Sequence, residues 1–523
     1  MPRILVSDPL AEDGLARLRE FGDVEARSKL PHEELVALVP AFDALVVRSE
    51  TKVTAAVLEA GGRLRVVGRA GVGVDNIDVV EATRRGILVV NAPRGNTIAA
   101  AEHSIALLLA LARWLPQADA SLRRGEWTRS RFIGVEIRGK TLGIVGLGNI
   151  GAEVARRAQG MDMDVIAYDP VVASERAEQL KVELVSREDL MRRSDFISVH
   201  APLVEGTRNL IGEPELGLAK PTARLVNAAR GGIVNESALY DALSSGRLAA
   251  AAADVFEKEP ATGNPLLSLP NFVGTPHIAA STAEAQNSVA RDVAEEVGAV
   301  LLGEMPRYAV NAPTLPPEEL SFLRPFAELC ERLASLHVQL HGGRVLSLEL
   351  ACEGEIAEHD VTLLTAGAIK GLVGPFTEER INAVNARLVA ANRGLKLIER
   401  RDPEAGDYPN LVTVRMDGFE LAGTVLRGEP RVTRIEDFRV DLVPAGRYLV
   451  SRHADLPGVV GRFGTVLGEA DINIASMQVG RDAPRGRAMM ILAVDEAVPE
   501  KVLERLRAIP GMADLRYVEL AGG

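Results

Sequence analysis

Three ionisable residues each follow an apolar, strand-like run in the first half of the chain. Arg230 follows residues 225–229, Glu259 follows residues 250–255 through a short charged loop, and His277 follows residues 272–276. Together they fit one reaction, the oxidation of a 2-hydroxy acid. As a hydride leaves carbon, a base must take the hydroxyl proton, and histidine titrates near neutrality. A carboxylate on the other ring nitrogen fixes its tautomer, and a guanidinium grips the substrate carboxylate through two parallel hydrogen bonds. Each residue alone has an ordinary structural explanation: a histidine after proline, a glutamate in a solvated loop, an arginine tightening a Gly-Gly turn. Their joint position at strand ends points to chemistry, because ligands of doubly wound sheets bind at that edge.

The same segment holds a nucleotide fingerprint. Gly146, Gly148 and Gly151 form G-x-G-x-x-G directly after the apolar run 141–145 and open an amphipathic helix over 152–159. Gly146 permits the tight turn, Gly148 lets the backbone approach a pyrophosphate, and Gly151 lets helix and strand pack closely. The helix N-terminus offers unpaired N–H groups to phosphate, and Asn149 and Ile150, within the same turn, are expected to bind the cofactor with the glycines. A second strand ends at Asp169, whose carboxylate accepts ribose hydroxyls and repels a 2′-phosphate, so the expected cofactor is NAD. A second glycine-rich run, residues 68–76, lacks the third glycine and carries Arg69, which suits an anionic substrate better than a pyrophosphate.

These side chains need two parallel sheets to position them. Residues 4–6, 44–47 and 64–67 read as strands, with helices over 10–20 and 31–38 between them. The rhythm restarts at 141–145 and continues at 164–168, 196–199, 223–227, 250–255 and 272–274, which predicts a second doubly wound lobe. A helix over 283–302 returns the chain to the first lobe. A proline-rich linker at 311–317 and a break at 444–446 bound a mixed segment, and the remainder reads βαββαβ, a ferredoxin-like order. The expected fold class is therefore α/β: two Rossmann-like lobes, an α+β intervening domain and a βαββαβ tail. The divisions fall at 1–97 with 286–314, 98–285, 315–445 and 446–523.

Composition narrows the partners. The 523-residue chain is 47% hydrophobic with a formal charge of −12, which excludes a disordered protein and argues against nucleic acid as partner. Its two cysteines, Cys330 and Cys352, fit a reducing compartment. The start of the chain lacks a signal-peptide plan, and the longest apolar stretch, 105–112, is too short for a bilayer. A cytoplasmic protein that needs no metal and no membrane is the expectation.

The motifs in combination resemble the D-2-hydroxyacid dehydrogenase family, within it the long members that oxidise 3-phosphoglycerate. The matching segments are 46–51, 67–76, 91–96, 146–151, 227–234, 254–260 and 275–277. The resemblance implies His277 as general base, Glu259 as its partner and Arg230 as the substrate-orienting residue. It implies Asp254 at the nicotinamide amide, Ala228, Ala229 and Ala280 beside the ring, and Thr207 near the pyrophosphate. Arg48, Ser49, Arg69, Gly71 and Asn96 would face the substrate's carboxylate and phosphate. One departure is Ala279, where family members usually carry glycine, which implies a crowded loop beside the base. The tail resembles an ACT domain, a module that binds amino acids between subunits, with Asp455 for an effector's ammonium group, Asn473 for its carboxylate, and L-serine as the expected effector. Residues 318–444 resemble the intervening domain of the long members, where His337, His341 and the Gly342-Gly343-Arg344 turn are weaker candidates for an anion site. A homo-oligomer, dimer or tetramer, is implied. The alternatives are another D-2-hydroxy acid as substrate, or an NADH-sensing corepressor or scaffold.

Overall fold

The computed structural model describes the whole chain apart from residues 314, 343, 344, 378 and 521–523 and the side chain of Pro317. Gly343 and Arg344, two thirds of the candidate anion turn, thus lie outside the described residues.

The first lobe is a five-stranded parallel sheet in the order Asp23–Ala26, Arg3–Val6, Ala44–Val47, Val66–Arg69, Leu88–Asn91. Its central strands are apolar on both faces because helices cover both sides, as in parallel sheets generally. Two strands escape the sequence reading, Asp23–Ala26 and Leu88–Asn91. Both are four-residue edge strands, the first polar, and they exist through pairing with Arg3–Val6 and Val66–Arg69. The fourth strand also runs two residues later than its apolar pattern indicates, which makes Arg69 its last residue. The helix Ala283–Leu302 lies on this strand so closely that a Cβ on Gly68 would sit 2.6 Å from Val297. Arg69 is thereby fixed at the strand end.

The second lobe is a seven-stranded parallel sheet. Its order is Phe272–Gly274, Ala250–Ala253, Arg224–Asn227, Phe196–Val199, Thr141–Val145, Asp164–Tyr168, Glu183–Leu184. The direction of winding reverses between Thr141–Val145 and Phe196–Val199, which opens a crevice at their carboxyl ends. Two long helices, Thr97–Arg113 and Ala283–Leu302, carry the chain across between the lobes. No single helix among the described residues is long and apolar enough to cross a membrane.

The remainder holds two further sheets. A six-stranded mixed sheet runs from Ser347–Gly354 to Phe438–Leu442 and packs against the helices Pro317–His341 and Thr362–Val373. A four-stranded antiparallel sheet follows in the order Ile474–Arg481, Arg487–Val494, Gly446–Ala454, Met512–Leu520, with helices Val459–Gly468 and Glu500–Arg507 on one face. Alternate strand residues point to opposite faces. Leu449, Met490 and Leu515 meet those two helices, whereas Val450, Ile491 and Val518 join the core of the preceding unit. The chain changes unit at Gly446, yet the apolar core runs across that point.

Candidate active site

The strand ends of the two lobes face a cavity of about 100 Å³ lined by Arg48, Ser49, Arg69, Gly71, Asn96, Arg230, His277 and Ala280. Every residue assigned to the substrate from the sequence therefore reaches the same space as the candidate base and arginine. Sequence reasoning missed Ser281 and Gln286 in the same wall. It also missed Asp75, whose carboxylate accepts from Arg230 Nε at 3.2 Å across the two lobes. Asp75 lies inside the quoted 67–76 run, but nothing local marks it as the partner of a residue 155 positions away.

His277 Nδ1 and Glu259 Oε2 are 2.8 Å apart, and the other oxygen of Glu259 accepts from the Phe256 backbone N–H at 3.1 Å. The carboxylate is thus fixed at one end and orients the imidazole with the other. His277 adopts a left-handed backbone, φ +53°, and its N–H donates to the Asp254 carbonyl at 2.9 Å. Ala279 is buried without positive φ, and the backbone strain of the loop sits on His277.

Arg69 is mostly buried, and its Nε has no partner among the described residues; neither has Asn96 Oδ1. Burial, then the nearby Arg230 guanidinium, push Arg69 down from 12.5 to about 10. A cavity holding three guanidiniums, one of them desolvated and incompletely bonded, is built for an anion.

The fingerprint meets the three demands made of its glycines. Gly146 has φ +95°, and a Cβ there would lie 2.8 Å from the Ala201 nitrogen. A Cβ on Gly151 would lie 2.1 Å from the Gly146 carbonyl oxygen, so only glycine allows this close packing, while Gly148 faces open space. The helix begins at Asn149, and its first intrahelical bond is from Ala152 N to Gly148 O, which leaves the N–H groups of Asn149 and Ile150 to a ligand. These residues fit a dinucleotide. Asp169 accepts from Leu147 N at 2.8 Å and from Val171 N and Val172 N, so the turn holds the carboxylate at the strand end.

Two further residues assigned to the cofactor are bonded within the chain. Thr207 donates to Pro202 O and accepts from Val204 N, so its hydroxyl closes its own turn. Asp254 is fully buried, and both of its oxygens are engaged: Oδ1 by the Thr275 hydroxyl at 2.6 Å and Ile278 N at 2.8 Å, Oδ2 by Ala279 N at 2.8 Å. Burial would raise its pKa, but these bonds and one from His103 outweigh it and hold the carboxyl below its ordinary value. The base loop wraps this carboxylate because a buried charge at a strand end needs donors. Ala228 and Ala229 follow the neighbouring strand Arg224–Asn227, Ala228 being buried.

In the tail the two residues assigned to an effector lie apart within one chain. Asp455 accepts from Arg485 N and Arg481, at one end of the strand Arg487–Val494. Asn473 bonds Asp495 at the other end. Eight strand residues separate the two sites, roughly 26 Å at about 3.3 Å per residue, so within one chain they cannot grip one small amino acid. Of the candidate pair, His341 stacks on Phe419 and reaches Glu436 at 3.2 Å, while His337 lies tilted beside it with its Nδ1 buried and unpartnered among the described residues.

Fold and site together define the class. Residues 105–279 match the NAD-binding domain of D-isomer specific 2-hydroxyacid dehydrogenases, and the solved structures point the same way. A protein from Thermus thermophilus, 36% identical, superposes with TM-score 0.55 over 59% of this chain and 99% of its own. A D-lactate dehydrogenase of Aquifex aeolicus complexed with NAD and lactic acid, 27% identical, gives TM-score 0.53 over 60% and 99%. Residues 322–436 match the D-3-phosphoglycerate dehydrogenase intervening domain and residues 448–511 the ACT domain. Full-length relatives named D-3-phosphoglycerate dehydrogenase are 46% identical in Archaeoglobus fulgidus and 40% in Bacillus subtilis, each over 99% of this chain and all of the relative. The chain belongs to the D-3-phosphoglycerate dehydrogenase family.

Proposed function

We propose that the chain oxidises 3-phosphoglycerate to 3-phosphohydroxypyruvate with NAD, the first step of L-serine biosynthesis. The observation that carries this is the desolvated, incompletely bonded Arg69 in one cavity with Arg48, Arg230 and His277. Arg230 leaves Asp75 to take the substrate carboxylate, and Arg69 and Arg48 take the phosphate. Nδ1 of His277 is held by Glu259, so Nε2 is the atom left to receive the hydroxyl proton as the C2–H bond breaks and the carbonyl forms. NAD, when bound, supplies the hydride acceptor. The Asp169 carboxylate supports NAD over NADP through repulsion of a 2′-phosphate.

NADH formation from 3-phosphoglycerate and NAD, followed spectrophotometrically with His277→Ala as blank, tests the reading; no turnover refutes it. If another 2-hydroxy acid is the substrate, an Arg48 substitution will leave its turnover largely unaffected. Regulation by L-serine belongs to the proposal, supported by the ACT match. Because Asp455 and Asn473 sit at opposite sheet ends, a serine held by both would lie between two copies, which supports a homo-oligomer. Calorimetry of the full chain with L-serine tests this, and an absence of binding heat refutes it. A cytoplasmic location is part of the same reading, in keeping with the two buried free thiols.

A further inference from the structure

His103 lies on the helix Thr97–Arg113 with most of its side chain buried. Its Nε2 is 3.2 Å from Thr275 Oγ1 and 3.4 Å from Asp254 Oδ1. The single hydroxyl proton of Thr275 is committed to Asp254, so Thr275 presents a lone pair to His103. Asp254 is a carboxylate and presents only lone pairs. Both neighbours of Nε2 are acceptors, which places the ring hydrogen on Nε2.

We infer that His103 is a positioning residue for the hydride-transfer centre. Its Nε2–H closes a clamp, made with Thr275 and Asp254, that holds the 275–279 loop and so keeps His277 in place against Glu259. The loop needs such a clamp. His277 sits in a left-handed conformation that a non-glycine residue keeps only when its surroundings enforce it. Both following N–H groups, of Ile278 and Ala279, are spent on Asp254, so a shift of that carboxylate moves the peptide beside the base directly. Among the described residues, the Asp254 carboxylate is bonded to Thr275, Ile278 and Ala279 and reaches the helix Thr97–Arg113 only through His103. The helix carrying His103 starts at Asn96, in the substrate cavity. One rigid element thus sets both the substrate wall and the base loop. Displacing a catalytic group by about 1 Å costs on the order of 10²-fold in rate.

The inference rests on His277 as the base, and its test uses the full-length enzyme with whichever 2-hydroxy acid the wild type oxidises. Failure of the 3-phosphoglycerate reading therefore leaves the clamp test intact. His103→Leu is expected to lower kcat at least about ten-fold with KM for the hydroxy acid changed less than about two-fold, the pattern of a lost transition-state interaction. His103→Gln keeps an N–H donor of similar reach and is expected to return kcat to within about three-fold of wild type. Thr275→Val, which breaks the same link without removing the ring, is expected to match His103→Leu, and the double variant to be no slower than either single one. Wild-type kcat in His103→Leu, or a His103→Gln as slow as His103→Leu, overturns the inference. Should His103→Leu fail to fold, Thr275→Val decides: a wild-type kcat there overturns it equally.

Discussion

Arg69 ties stability to function in a way that can be measured. Its guanidinium is charged at neutral pH, yet burial and Arg230 bring its pKa from 12.5 to about 10. That difference of about 2.5 units corresponds to roughly 3 kcal/mol by which the folded state disfavours the charge, at about 1.36 kcal/mol per unit. The sign follows from the direction: a cation whose folded pKa lies below its unfolded value destabilises the fold at every pH below about 10, so the cost is constant from pH 6 to 9. Arg69→Met keeps most of the stem's packing and removes the charge. After allowance for lost contacts, the ligand-free variant is expected to gain about 1–2 kcal/mol, or about 2–8 °C in the melting of a lobe of this size. The same variant is expected to lose a charged hydrogen-bonding partner for the substrate, worth about 1.5–3 kcal/mol, so that KM for 3-phosphoglycerate rises about 10- to 150-fold. Calorimetric melting of both proteins, with and without 3-phosphoglycerate, reads the stability change and the loss of substrate binding together, and steady-state kinetics give the KM. The substrate should raise the wild-type transition and leave that of the variant nearly unmoved. A ligand-free variant that melts below wild type, or one that keeps the wild-type KM, refutes the reasoning.

Two other perturbations test neighbouring parts of the argument. Gly151→Ala places a Cβ 2.1 Å from the Gly146 carbonyl, so the helix start must move; an overpacking cost of about 1–3 kcal/mol and an increase in KM for NAD of at least about ten-fold are expected. Steady-state kinetics check this, and a KM for NAD within two-fold of wild type refutes it. His337 is 3% exposed, and burial lowers its pKa from 6.5 to about 4. A depressed pKa means that its contribution to stability is complete above pH 6.5 and is lost as pH falls from there to about 4, at most about 3 kcal/mol. His337→Leu is therefore expected to lose less stability than wild type between pH 7 and 4.5. Denaturant midpoints at the two pH values measure this, and equal losses refute it.

Much of the site is legible in the residues alone because its chemistry is local. The glycines of a dinucleotide turn act within six residues, and Gly146, Gly148 and Gly151 show in their contacts the three roles their spacing implies. Arg230, Glu259 and His277 are recognisable because each follows an apolar run, and the end of a strand is visible in a pattern of period and punctuation. The βαββαβ order of the tail is readable for the same reason.

What tertiary structure decided is long-range pairing. The partner of Arg230 is Asp75, in the other lobe, and the partner of Asp254 is its own downstream loop together with His103 on a crossover helix. No periodicity encodes these, since they depend on which strand ends the sheet order brings together. A buried acid at a strand end reads alike in sequence whatever donors it has, so the bonds of Asp254 to Thr275, Ile278 and Ala279 show only in the structure. Asp455 and Asn473 both flank the first helix of the tail, and only the strand register shows that they lie at opposite ends of the sheet. Local chemistry is written in spacing along the chain. Whether a polar group is satisfied, and by what, is settled by the packing of elements far apart in sequence.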